Sequence, residues 1–193
     1  MWPIVRRFGL LAVGVVALWL GSVLVLNLTV YSATGFVSSY LSALESRDYG
    51  VAAAKAGIAR APQIVPSASH TLENPRIVGT ASLPTGELVI RADYELGGAT
   101  ESTVFVVAPG DPVLWFFDTW RCQTQPLATL QFVVIGDQRV TVNGKELSVD
   151  SLGVPPRTSV FVPGLYTSSL ETEWVSAEPA TTALTEVGST GRA

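Results

Sequence analysis

The stretch "ELVIRADYEL", residues 87–96, carries the clearest structural signal in the chain. Leu88, Ile90, Ala92, Tyr94 and Leu96 alternate with Glu87, Val89, Arg91, Asp93 and Glu95, so a strand here has one apolar face and one largely charged face. A strand wet on one side belongs to an antiparallel sheet. Gly97-Gly98 offers a tight turn into "TESTVFVV", and "APGDP" then breaks the run. With a weaker strand from Asn74 to Ser82, the simplest product is an antiparallel meander.

Upstream, the period changes. Phe36, Val37, Tyr40, Leu41 and Leu44 fall on one stripe of a helix, and Asp48 is placed to cap a second helix, "YGVAAAKAG", that stops at Gly57. The prolines of "APQIVPSAS" make the next segment an irregular connection. Downstream of Gln125-Pro126, "LATLQFVVIG" and "QRVTVNGKELSV" read as strands, and Asn143-Gly144 is a strong hairpin signal because both central residues of a type I′ turn need positive φ. "VPPRTSVFVPGLYTSS" adds two strands about a Pro-Gly turn. The tail "EPATTALTEVGSTGRA" has few bulky residues and no period, and is expected to be without order.

At the N-terminus, Phe8 to Val30 runs 23 positions without a charge, long enough to cross a hydrocarbon core of about 30 Å. Only 15% of the chain is charged, against roughly 25% in soluble proteins. The stretch is longer than the apolar core of a signal peptide, and Tyr31 stands where a small residue would precede cleavage, so a retained anchor is expected. Arg6 and Arg7 put the short N-terminal stub in the cytoplasm and everything after Val30 outside. Trp2 and Tyr31 flank the span as interfacial rings.

The outer part keeps 10 basic residues against 16 acidic, net −6, which disfavours a nucleic-acid partner. A single cysteine rules out an internal disulfide, and one Cys with one His cannot build a zinc or copper site. Asn27-Leu28-Thr29 matches a glycosylation pattern but lies inside the span, and Leu83-Pro84-Thr85-Gly86 lacks the features of a sorting signal. Gly14, Gly21 and Ser22 are small enough to let another span approach.

The order of helix, capped helix, linker and meander, with "YLSALESRDYGVAAAKAG", "YELGG" and "WFFDTWRC", resembles the nuclear-transport-factor-like superfamily of cone-shaped α+β domains. The later "VTVNGKELSV" and "FVPGLYTSS" are similar to small β modules that follow such a cone in membrane-anchored envelope proteins of Gram-positive bacteria. Arginine bias, with only Lys55 and Lys145 among 12 basic residues, agrees with a high-GC genome. The expected fold class is therefore α+β: a cytoplasmic stub at 1–7, a transmembrane helix at 8–30, a cone-like domain at 33–125, a small all-β module at 127–178 and a tail at 179–193. The resemblance implies a non-catalytic envelope protein whose exported part binds another envelope protein or a cell-wall component. No cofactor is implied.

"WFFDTWRC", residues 115–122, is where chemistry is sought. Read as a strand, it puts Leu114, Phe116, Asp118, Trp120 and Cys122 on one face, so Asp118 shares an apolar environment that would raise its pKa. In a cone-shaped isomerase or dehydratase such a carboxylate serves as general base, but that chemistry also needs an oxyanion donor, and none is assignable. The plainer expectation is an Asp118 satisfied by Arg91, the Trp120 indole or a backbone amide. Asp118, Trp120, Tyr94 and Arg91 are the candidate pocket residues. Cys122 is read as packing rather than as a nucleophile, and His70 has no partner by spacing. Asp93 and Glu95, with Arg91 between Glu87 and Asp93, read as a solvated face rather than a hydrolytic pair.

Overall fold

The computed structural model describes residues 2–67, 71–132, 139–148, 157–169 and 180–192. His70 and the segments 133–138, 149–156 and 170–179 lie outside the described residues. The apolar N-terminal run forms helix α1, Trp2–Thr29. Its Leu11–Thr29 window has mean hydropathy 2.3, with none of it buried inside the protein, and is long and apolar enough to cross a membrane.

Helix α2, Ala33–Glu45, starts at Ser32, whose side chain accepts a hydrogen bond from the Gly35 amide at 3.0 Å. Its buried side is Val37, Tyr40, Leu41 and Leu44, the stripe expected from spacing. Asp48 caps helix α3, Tyr49–Lys55, by accepting from the Val51 amide at 3.1 Å. Gly57, at φ +70°, carries the chain out of that helix.

Strands β1 (Leu72–Ser82), β2 (Leu88–Leu96), β3 (Ala99–Pro109) and β4 (Trp120–Cys122) form a four-stranded antiparallel meander. The alternation of β2 is real: Ile90, Ala92, Tyr94 and Leu96 are buried, whereas Arg91 and Glu95 are exposed. The turn at Gly97-Gly98 has both φ values positive, at 62° and 84°. Helix α2 closes the inner face of this sheet, and Tyr40 meets Phe105 edge-on at 5.9 Å between ring centroids. Burying each large apolar side chain of this layer stabilises it by about 1.5–3 kcal/mol.

Among the described residues, the rest of the chain makes two smaller sheets. Strands β5 (Leu127–Gln131), β8 (Arg157–Phe161) and β11 (Thr190–Arg192) form one, in the order β11-β5-β8, with β11 parallel to β5. Strands β6 (Arg139–Val142), β7 (Lys145–Ser148), β9 (Gly164–Ser169) and β10 (Ala180–Leu184) form the other, in the order β10-β9-β6-β7. The β6–β7 hairpin turns at Asn143 (φ 48°) and Gly144 (φ 78°), as its sequence requires. The Pro-Gly turn after β8 does not make a hairpin: Val162 and Pro163 carry the chain from one sheet to the other.

Residues 179–193, expected to be without order, instead yield β10 and β11 from 180 to 192. Leu184 and the half-buried Val187 supply the apolar contacts there. Leu184 is 4% exposed in a second core with Leu130, Val142, Val160 and Tyr166, and strand pairing supplies the rest. A Cβ at Gly191 would lie 2.7 Å from the Leu184 Cδ2, so that side chain would have to shift to admit one. The helical and β-rich parts share contacts: Phe161 and Leu165 belong to the core under α2, and Tyr49 stacks on Phe161 at 6.0 Å.

Candidate functional site

Only the end of "WFFDTWRC" is a strand. Ahead of β4, the chain from Gly110 to Thr119 forms a narrow loop, closed at its neck by Gly110 N–H donating to the Thr119 carbonyl at 2.8 Å. Nearer the tip, Val113 and Phe117 exchange backbone hydrogen bonds of 2.9 and 3.0 Å. Leu114 and Trp115 at the tip both have positive φ, 51° and 70°. For residues with bulky side chains this conformation costs on the order of 1–2 kcal/mol each, so packing elsewhere must hold it.

The packing is against α1. Asn27 donates through Nδ2 to the Phe116 carbonyl at 2.7 Å and accepts from the Asp118 amide at 3.3 Å. Phe116 meets Trp19 edge-on at 5.2 Å, and Phe117 stacks on Tyr31 at 4.5 Å. The alternation expected for residues 114–122 therefore fails: two rings of this run turn toward the helix instead of following the pleat. An isolated strand pattern cannot register a helix 89 residues away.

Beside this loop lies a half-open cleft of about 280 Å³. Val30, Tyr31 and Ser32 line it from the α1–α2 junction, Phe36 from α2, Lys55 from the end of α3, and Asp118 to Trp120 from the approach to β4. The Trp120 indole donates to the Tyr31 carbonyl at 2.9 Å, fixing one wall. Lys55 Nζ stands 5.9 Å from the centroid of the Phe36 ring. One ammonium, one carboxylate and an aromatic wall suit a small polar or zwitterionic group.

Of the four candidate residues, the structure brings Asp118 and Trp120 together here and separates the others. Asp118 is exposed, not on a buried apolar face, and neither Arg91 nor the Trp120 indole is its partner. Arg91 lies on the wet face of the sheet, with Nε 3.5 Å from Asp93 and its guanidinium 3.4 Å from Ser102. Tyr94 is in the core, where its hydroxyl donates to Thr103 at 2.6 Å and Thr103 donates onward to the Thr185 carbonyl at 2.6 Å. Burial pushes the Tyr94 phenol up to about 12 and the Cys122 thiol up to about 11, so both are neutral at physiological pH. Cys122 is thus a weak nucleophile.

Sequence reasoning missed Asn27, Tyr31, Phe36 and Lys55. Asn27 alone carried a usable signal, because an amide inside an apolar span is costly unless paired. Neither a family model, nor a curated protein, nor a solved structure matches this chain.

Proposed function

We propose that this chain is a single-pass membrane-anchored protein of the cell envelope that presents a non-catalytic binding module outside the membrane. The observation that carries this reading is α1. Nineteen residues from Leu11 to Thr29 have mean hydropathy 2.3 and none of them is fully buried, whereas a core helix of that composition would be covered by its neighbours. Arg6 and Arg7 at its start orient the stub to the cytoplasm and the body outward, as in envelope proteins of Gram-positive bacteria.

The meander β1–β4 with α2 across its inner face supports a likeness to the nuclear-transport-factor-like cone. In this cone Tyr40, Tyr94 and Phe105 fill the space between helix and sheet, so the binding surface lies outside it. The cleft between Lys55 and Asp118, next to the end of α1, is the place for a partner: another envelope protein, a cell-wall component or a ligand close to the lipid surface. The alternative, an isomerase or dehydratase with Asp118 as general base, needs that carboxylate inside a hollow cone. Asp118 is exposed instead, and the Tyr94 hydroxyl is already engaged with Thr103.

Membranes from cells expressing the full chain with a C-terminal tag test the anchor. The protein should resist extraction by alkaline carbonate, the tag should be digested by protease added to cells stripped of wall, and the intact mass should include α1. Release into the soluble fraction, or a mature chain beginning after Thr29, would overturn the anchor; a protected tag would reverse the topology.

A further inference from the structure

Among the described residues outside α1, the loop at Val113–Phe117 carries the most exposed large apolar side chains. Leu114 is 66% exposed and Trp115 94% exposed, at the tip of five consecutive apolar residues, "VLWFF". In water such a tip would be a liability, and its backbone strain would serve no purpose. Its position on α1 gives it one.

Between residues 11 and 29 only Val23 and Asn27 are half-buried, and with Trp19 they form a stripe at intervals of four along one side of the helix. The loop lies on that stripe, bonded to Asn27 and in ring contact with Trp19. At 1.5 Å rise per residue, Asn27 sits about 3 Å and Trp19 about 15 Å along the axis from Thr29. A bilayer that holds α1 to the level of Tyr31 therefore surrounds the loop as well. We infer that residues 113–117 are a second membrane-inserted element, with Leu114 and Trp115 in the acyl chains of the outer leaflet. This rests on the anchor reading above.

The loop is built for that solvent. The Val113–Phe117 bridge and the Asn27 amide satisfy backbone groups that lipid cannot. Exposed Asp111 and Asp118 bracket the apolar run and limit its depth. Two attachments would hold the body against the membrane, and the cleft shares Val30 and Tyr31 with the end of the span and Asp118 with the base of the loop.

Spin-label depth measurement on the full chain in phosphatidylcholine vesicles tests this. In a Cys122→Ala background, single cysteines replace Leu24, Trp115 and, on the exposed β1–β2 turn, Thr85. Labels at 24 and 115 should collide with oxygen several times more often than with a water-soluble nickel chelate, and the label at 85 should do the reverse. A label at 24 in lipid with 115 in water would overturn the inserted loop and leave the anchor standing. A label at 24 in water would remove both. A label at 115 shielded from both reagents would assign the tip to a second copy or another protein, not to lipid. Should the Cys122→Ala chain not fold, vesicles of brominated phosphatidylcholine give the same discrimination: bromine should quench the wild-type tryptophan emission more than that of Trp115→Phe, and equal quenching would overturn the proposal.

Discussion

Tyr40 joins two parts of the chain through one hydroxyl. From the buried side of α2 it donates to the Val162 carbonyl at 2.7 Å, with the Pro126 carbonyl also within 3.3 Å. Both groups precede or follow strands of the sheet β11-β5-β8, so the helix is tied to the β-rich half at its core. Tyr40→Phe keeps the ring and strands a buried acceptor, which costs about 1–3 kcal/mol. The midpoint of denaturant unfolding of the full chain in detergent should fall accordingly, with the slope unchanged; a shift worth less than about 0.5 kcal/mol would mean the bond contributes little. At this scale the sequence told half of the story. The spacing of Phe36, Val37, Tyr40 and Leu41 marks Tyr40 as inward-facing, but the acceptor is 122 residues away and no local pattern names it. Asn27 and the Phe116 carbonyl, 89 residues apart, were hidden for the same reason.

Elements whose residues answer to their immediate neighbours were legible, and those shaped by distant ones were not. The β2 alternation, the Asp48 cap and the Asn143-Gly144 hairpin follow from periods and turn chemistry over fewer than ten residues. The loop at 113–117 and strands β10 and β11 depend on α1, Leu130 and the other sheet edges, which a linear pattern does not contain. The hairpin offers a clean comparison of two terms. A Cβ at Gly144 would meet open space, so Gly144→Ala isolates the left-handed backbone and should cost about 1–2 kcal/mol. Asn143→Gly keeps the favourable backbone and removes the amide, which donates to the Val65 carbonyl at 2.8 Å and accepts from the Thr167 amide at 2.8 Å. Losing those ties to the linker and to β9 should cost about 1–3 kcal/mol. Thermal unfolding in detergent should drop for both variants; a stable Asn143→Gly chain would show that the turn stands without its side-chain ties.

Across the whole molecule, three phenols are sealed into the cores that hold the body together. Tyr40 and Tyr166 are raised well above the ordinary tyrosine value by burial, and Tyr94 is raised to about 12 chiefly by burial. Each has a carbonyl or hydroxyl to which it donates a proton: Val162, Phe161 and Thr103. Ionising any of them leaves a buried phenolate facing an oxygen. The sign of the effect follows from proton binding: above the ordinary value near 10 the unfolded chain has released these protons while the folded chain retains them, so stability falls as pH rises. Each retained proton steepens the fall by about 1.4 kcal/mol per pH unit. The Cys122 thiol, raised from 9.0 to about 11, begins the decline slightly earlier. The unfolding midpoint of the full chain in detergent should therefore be insensitive to these groups below about pH 8 and drop steeply between about 10 and 12, and Tyr94→Phe should flatten part of that drop even if it lowers the plateau. A midpoint that stays level to pH 12 would mean that the phenols reach water, and that the two cores are looser than their packing implies.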